Sequence, residues 1–170
     1  MKSPQLLKLT IDICFILLVI DLFSTLSTYI IFLITGHTFP VFINDREIKN
    51  FTFQSISIII ANVAVAVIGT YAIYLLRKLV RSFFKNKYFT SLQISLFKKI
   101  GQLIVFSTLL QFAVNFFSVL ILEGRAKIGF SVESSYYNIF FIFSIGLFFI
   151  YLSKLFEKSR SLQEENDLTV

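Results

Sequence analysis

Charge is scarce in this sequence of 170 residues: 15% are Asp, Glu, Lys or Arg, 56% are hydrophobic, and mean hydropathy is +0.79. A water-soluble domain carries about a quarter charged residues, so an ordinary soluble enzyme and a disordered chain are both excluded. Cys14 is the single cysteine, which excludes a disulfide scaffold. His37 is the single histidine and no cysteine stands near it, so no metal is expected. The six glycines, Gly36, Gly69, Gly101, Gly124, Gly129 and Gly146, are scattered, and no Gly-rich loop is present to cradle a phosphate. No cofactor is therefore expected. Cys14 lies in an apolar run with no base beside it and reads as a small packing residue, so the chain is not read as an enzyme.

Long apolar runs are abundant. A helix crosses a hydrocarbon core in about 20 residues, at about 1.5 Å per residue. Ile13–Ile34 offers 22 residues with Asp21 as its one charge, Ile56–Leu76 offers 21 with none, and Ile100–Leu122 offers 23 with none. Tyr136–Ser153 is shorter, 18 uncharged residues, and spans if Lys154 and Lys158 extend to the interface. The first run is too long for a cleaved signal peptide, contains an aspartate, and is followed by Thr35-Gly36-His37-Thr38-Phe39-Pro40 rather than a small-x-small site. It reads as a retained helix. The 22 phenylalanines are spread through every span as packing and lipid contact.

The expected architecture is an all-α membrane bundle of four transmembrane helices in a single domain: helix 1 over 9–35, helix 2 over 55–85, helix 3 over 91–122 and helix 4 over 136–160. Loops at 36–54 and 123–135 and an acidic tail at 161–170 complete it. Of the 16 basic residues, 12 flank one set of helix ends (Lys2 and Lys8; Arg77 to Lys99; Lys154 to Arg160) and 4 the other. That asymmetry puts both termini and the central connection in the cytoplasm. The net charge of +6 is matched by anionic headgroups and calls for no direct contact with nucleic acid.

The connection between helices 2 and 3 reads as a cytoplasmic helical hairpin. Leu79, Val80, Phe83 and Phe84 keep helical spacing beyond Leu76, and Asn86-Lys87-Tyr88-Phe89 breaks it. Thr90-Ser91-Leu92-Gln93 has the form of a capping box, with Phe89 and Ile94 placed for a hydrophobic staple. Helix 3 should start near Ser91, with Leu92 and Leu96 against Leu79 and Phe83. The basic hairpin fits two uses, a headgroup-facing connection or a protein docking surface. On the outer side, turn residues Asn44 to Glu47 separate Phe39, Val41 and Ile43 from Ile48, Phe51 and Phe53, with Pro40 confining the first strand to an edge. Ile128, Phe130 and Val132 alternate in the second loop, and the two loops together would make a small extracytoplasmic β cap.

Polar side chains at membrane depth normally face the bundle and are paired. Asp21, Ser24, Thr25 and Thr28 form one stripe on helix 1, and Thr108, Gln111, Asn115 and Ser118 another on helix 3. Asp21, Asn62 and Gln111 fall near mid-helix, so an intramembrane polar cluster of Asp21, Ser24, Thr25, Asn62, Gln111 and Asn115 is expected. It would serve as interhelical glue, or as a proton, ion or small-ligand site. Asp12 stands nine residues before Asp21, which at about 100° per residue puts the two on opposite faces, so they form no catalytic dyad. Ala61, Ala64, Ala66 and Gly69 would let helix 2 approach a neighbour closely.

The chain's end, Ser161-Leu162-Gln163-Glu164-Glu165-Asn166-Asp167-Leu168-Thr169-Val170, resembles the closing segment of a bacterial membrane family, domain of unknown function 2975. Phe89 to Gly101, with Leu96 and Lys99-Ile100-Gly101 leading into helix 3, is similar to that family's pattern as well. The resemblance implies a four-helix inner-membrane protein whose genes often neighbour one for a small helix-turn-helix DNA-binding regulator, and it implies no catalytic residues. The residues add a basis of their own: Arg81, Phe84, Lys85, Lys87 and Tyr88 on the hairpin, and Glu164, Glu165, Asp167 and Leu168 at the end, could bind a partner or one another. The leading expectation is a binding or sensing module in the bilayer that holds a cytoplasmic DNA-binding regulator, with homo-oligomers left open. The alternative is a small transporter or channel built around Asp21.

Overall fold

The computed structural model describes residues 3–35, 41–43, 46–48, 53–84, 90–123 and 134–168. Four long helices account for nearly all of these: α1 (Ser3–Thr35), α2 (Phe53–Phe83), α3 (Ser91–Glu123) and α4 (Ser134–Leu168). Between α1 and α2, β1 (Val41–Ile43) and β2 (Arg46–Ile48) pair antiparallel, with Val41 opposite Ile48 and Ile43 opposite Arg46. The second loop, 124–133, and the hairpin tip with its staple residue Phe89, 85–89, lie outside the described residues.

Among the described residues, three helical stretches are long and apolar enough to cross a membrane: Phe53–Phe83, Ser91–Ser118 and Asn138–Asn166. Their outer faces are apolar too. Phe106, Phe116, Phe140, Phe141, Phe148 and Tyr151 are all exposed on the isolated chain, and helices hydrophobic all round are those of a protein immersed in lipid.

Chain neighbours run antiparallel: Asp12 near the start of α1 meets Arg77 near the end of α2, and Arg160 near the end of α4 meets Ser91 at the start of α3. The core lies where α2 ends and α3 begins. Leu75, Leu79, Leu96, Phe97 and Ile100 are buried there, with Phe83, Phe149, Leu152 and Phe156 packed around them. Four rings form its centre, with Phe97 4.9 Å from Phe156, 5.8 Å from Phe149 and 6.1 Å from Phe83 between centroids, spacings typical of attractive aromatic pairs. Leu96 packs as expected, but Leu92 is exposed. Gln93, Leu96, Phe97 and Ile100 define the inward face of α3, and Leu92 is rotated about 100° away from Gln93.

α3 and α4 approach closely through Gly101 and Gly146, whereas Gly69 on α2 makes no such approach. A Cβ on Gly69 would meet nothing within 4 Å, and Ala64 and Ala66 are exposed. A Cβ on Gly101 would stand 2.6 Å from the Gly146 carbonyl oxygen and 2.8 Å from the Ile150 nitrogen. Small residues let backbones touch, which gains dispersion contact where lipid removes any hydrophobic drive between helices.

α4 also continues beyond position 160 to Leu168, so the acidic segment is helical rather than a separate tail. Leu162, Gln163, Glu164 and Glu165 are good helix formers. Arg160 Nε donates to Glu164 Oε1 at 2.7 Å one turn on, which supports the added turns.

Candidate functional site

Charged and aromatic groups gather where α1 begins, α2 ends and α3 begins. Arg77 Nε donates to Asp12 Oδ1, and Arg81 Nη2 reaches the same oxygen at 3.4 Å. The Arg77 guanidinium lies over the Phe15 ring at 5.3 Å from its centroid, and Phe15 in turn contacts Tyr74 at 6.0 Å. One turn before Asp12, Lys8 stands over Phe84 at 5.9 Å. Two arginines one turn apart on α2 thus clamp one carboxylate on α1, and a cation–π pair closes the end. Desolvation raises the Asp12 pKa, but hydrogen bonds and positive charge from Arg77 and then Arg81 outweigh it and hold the carboxyl below its ordinary value.

The start of α3 is fixed as a capping box. Gln93 N donates to Thr90 Oγ1 at 3.3 Å, Thr90 N donates to Gln93 Oε1 at 3.1 Å, and Ile94 N donates to Thr90 O at 3.1 Å. These bonds satisfy donors that the first helical turn leaves open, which lets Gln93 be fully buried. Arg160 Nη1 donates to Ser91 Oγ, tying the end of α4 to the same point. Between α2 and α3 lies an open groove of about 460 Å³, lined by Tyr74, Arg77, Lys78, Arg81, Ser82, Thr90, Leu92 and Gln93. It is apolar at Tyr74 and Leu92 and strongly basic along α2.

The intramembrane cluster divides. Gln111 Nε2 donates to Asn115 Oδ1 at 2.8 Å and to Asn62 Oδ1 at 3.3 Å, so α2 and α3 are joined by amides. Thr108 and Ser118 are buried above and below, their hydroxyls donating to the carbonyls of Ile104 and Asn115. Asp21 does not join them. It is exposed on α1, as is Ser24, while Thr25 is half-buried. The physical reason is the half-turn relation between the two aspartates: with Asp12 turned to Arg77, Asp21 faces away from α2. The carboxylate of α1 that meets α2 is Asp12, which the sequence reading places near water, and not Asp21. A usable signal was depth, because Asp12, Arg77 and Arg81 all border the apolar runs at the same end of the bundle.

Among the expected partner-binding residues, Arg81, Phe84, Glu164 and Glu165 are exposed, with Arg81 reaching Asp12 and Glu164 accepting from Arg160. Asp167 and Leu168 form the last positions of α4, and Lys85, Lys87 and Tyr88 lie outside the described residues. The arrangement offers hydrogen-bond donors and positive charge to an anion, and no nucleophile–base pair stands among the residues described here. No curated protein and no solved structure matches this chain. The model of a protein family of unknown function, DUF2975, matches residues 7–170, nearly the full length, and the chain belongs to that family.

Proposed function

We propose that the chain is a four-pass protein of the bacterial inner membrane, with both termini and the α2–α3 connection in the cytoplasm, that acts as a binding or sensing module for a cytoplasmic DNA-binding regulator. The observation that carries this reading is the gathering of opposite charges beside the partly exposed Phe84 at one end of the bundle. Arg81 and Phe84 are exposed at the end of α2, and Glu164 and Glu165 are exposed on the final turns of α4. Opposite charges steer a soluble partner and a few apolar groups supply most of its affinity. The basic residues at this end favour the cytoplasmic side, and the paired strands of 41–48 would belong to an outer cap. The exposure of Asp21 on α1 gives less support to the alternative, a small transporter or channel built around it.

Co-purification from native membranes, with the full chain tagged, tests the reading. A helix-turn-helix regulator should be retained by the parent chain and lost from Glu164→Lys, Glu165→Lys with the thermal midpoint unchanged. Absence of any such regulator from the parent preparation refutes the docking role. Cysteines at Asp45 should react with an impermeant reagent on intact cells while one at Ser82 should not, and the reverse pattern refutes the orientation.

A further inference from the structure

We infer that the groove between α2 and α3 is a headgroup site for an anionic phospholipid, with the lipid phosphate held by Arg77, Lys78 and Arg81. Three observations converge on it. The cavity, about 460 Å³, has room for a phosphate and its glycerol. Its lining changes from apolar to basic just where the uncharged run Ile56–Leu76 gives way to Arg77, so a lipid lying against α2 would bring its phosphate level with the cations and its acyl carbon level with Tyr74.

The charge is also unbalanced. Three cations line the groove and the single carboxylate among their described partners is Asp12, which takes one N–H from Arg77 and one from Arg81. A guanidinium has five N–H donors in a planar fork that suits phosphate, so most of the donors on both arginines stay available. Lys78 is exposed on the same helix and has no ion pair among the described residues. The Ser82 hydroxyl, now donating to the Leu79 carbonyl at 2.6 Å, stands at the rim and can accept or donate to the headgroup.

The groove is open rather than enclosed, which favours a ligand that enters sideways from the bilayer. A basic protein attracts anionic lipid everywhere on its cytoplasmic rim, so the test must separate a built site from diffuse attraction. The full chain in a neutral detergent is titrated with phosphatidylglycerol, with phosphatidylcholine and with inorganic phosphate, and bound lipid is counted by native mass spectrometry. One phosphatidylglycerol should bind at least tenfold more tightly than phosphatidylcholine, and inorganic phosphate should not compete at millimolar concentration. Lys78→Glu should weaken that binding about tenfold or more, the loss expected for a charge-assisted hydrogen bond. Lys154→Glu, which removes an exposed cation of α4 outside the groove, should leave it within twofold. Both lysines are exposed, so the thermal midpoint without lipid serves as the check that each variant is folded. Equal loss in the two variants, equal affinity for the two lipids, or displacement by inorganic phosphate overturns the proposal.

Discussion

Replacing Gly101 by alanine or valine should loosen the bundle where α3 and α4 approach closely. The added Cβ would stand 2.6 Å from the Gly146 carbonyl oxygen, 2.7 Å from Ile150 Cγ1 and 2.8 Å from the Ile150 nitrogen. Two of those three atoms are backbone, so no rotamer change relieves the contact. Reaching 3.4 Å, where ordinary contact begins, requires α3 and α4 to part locally by about 0.8 Å. Overpacking of that kind costs about 1–3 kcal/mol, while alanine regains about 1 kcal/mol of helix propensity over glycine. Gly101→Ala should therefore lose about 1 kcal/mol, and Gly101→Val, which adds two methyls and recovers less propensity, about 3 kcal/mol. In a chain of this size that corresponds to midpoint decreases of roughly 3 °C and 9 °C in detergent. Gly69→Ala is the internal control, because its Cβ would meet nothing within 4 Å, and it should be neutral or slightly stabilising. A Gly101→Val protein as stable as the Gly69→Ala protein would refute the close approach of α3 and α4.

Removing the amide of Gln111 as Gln111→Leu should cost on the order of 1 kcal/mol, seen as a lower midpoint, whereas Asp21→Leu should leave the midpoint unchanged or raise it because Asp21 is exposed; a larger loss at Asp21 would restore it to the interior. Thr90→Ala removes the cap that Gln93 N donates to and should cost about 1 kcal/mol, and Thr90→Ser should recover it. The Asp12 carboxyl is held below its ordinary value by Arg77 and Arg81, so its contribution is present above about pH 3.9 and is lost as pH falls through its lower folded value. Protection of amides in the first half of α1, taken relative to intrinsic exchange at the same pH, should fall on acidification below about pH 4 in the parent chain. In Asp12→Asn that protection should be low already at pH 7 and show no such step.

The helices and the start of α3 were legible because their signals are local. A run of apolar residues reports a span by length alone, and Thr90 and Gln93 sit three apart as a capping box requires, which the bonds between them bear out. The partners of Gln111 were legible in part, since amides at equal depth on two helices have few other ways to be satisfied. Rotation about a helix axis is a different kind of information. It decided between Asp12 and Asp21, and it depends on which face α2 presents, a long-range fact that the apolar, nearly uniform surface of α1 does not encode. The extent of α4 was misjudged for a related reason. Acidic composition reads as a solvated end, but Arg160 one turn ahead of Glu164 and tied to Ser91 keeps the helix going.

α1 is attached differently from the other three helices, and that difference bears on what the charged end can do. None of its described side chains is buried, whereas α2 and α3 share a core with α4 packed against it. Among the contacts that hold α1 to α2 are the clamp of Arg77 and Arg81 on Asp12, the Phe15–Tyr74 ring pair and the contact of Lys8 with Phe84. A segment held by few buried contacts opens at lower free energy than the whole fold, so α1 is the helix whose displacement costs least. The same two arginines line the groove. A phosphate held there by the remaining donors would share both guanidinium groups with Asp12, and its negative charge opposes the carboxylate's. By linkage, any anion that binds better when Asp12 has withdrawn must favour that withdrawal to the same degree. If the groove holds a lipid phosphate as proposed, its occupancy and the attachment of α1 are two readings of one equilibrium.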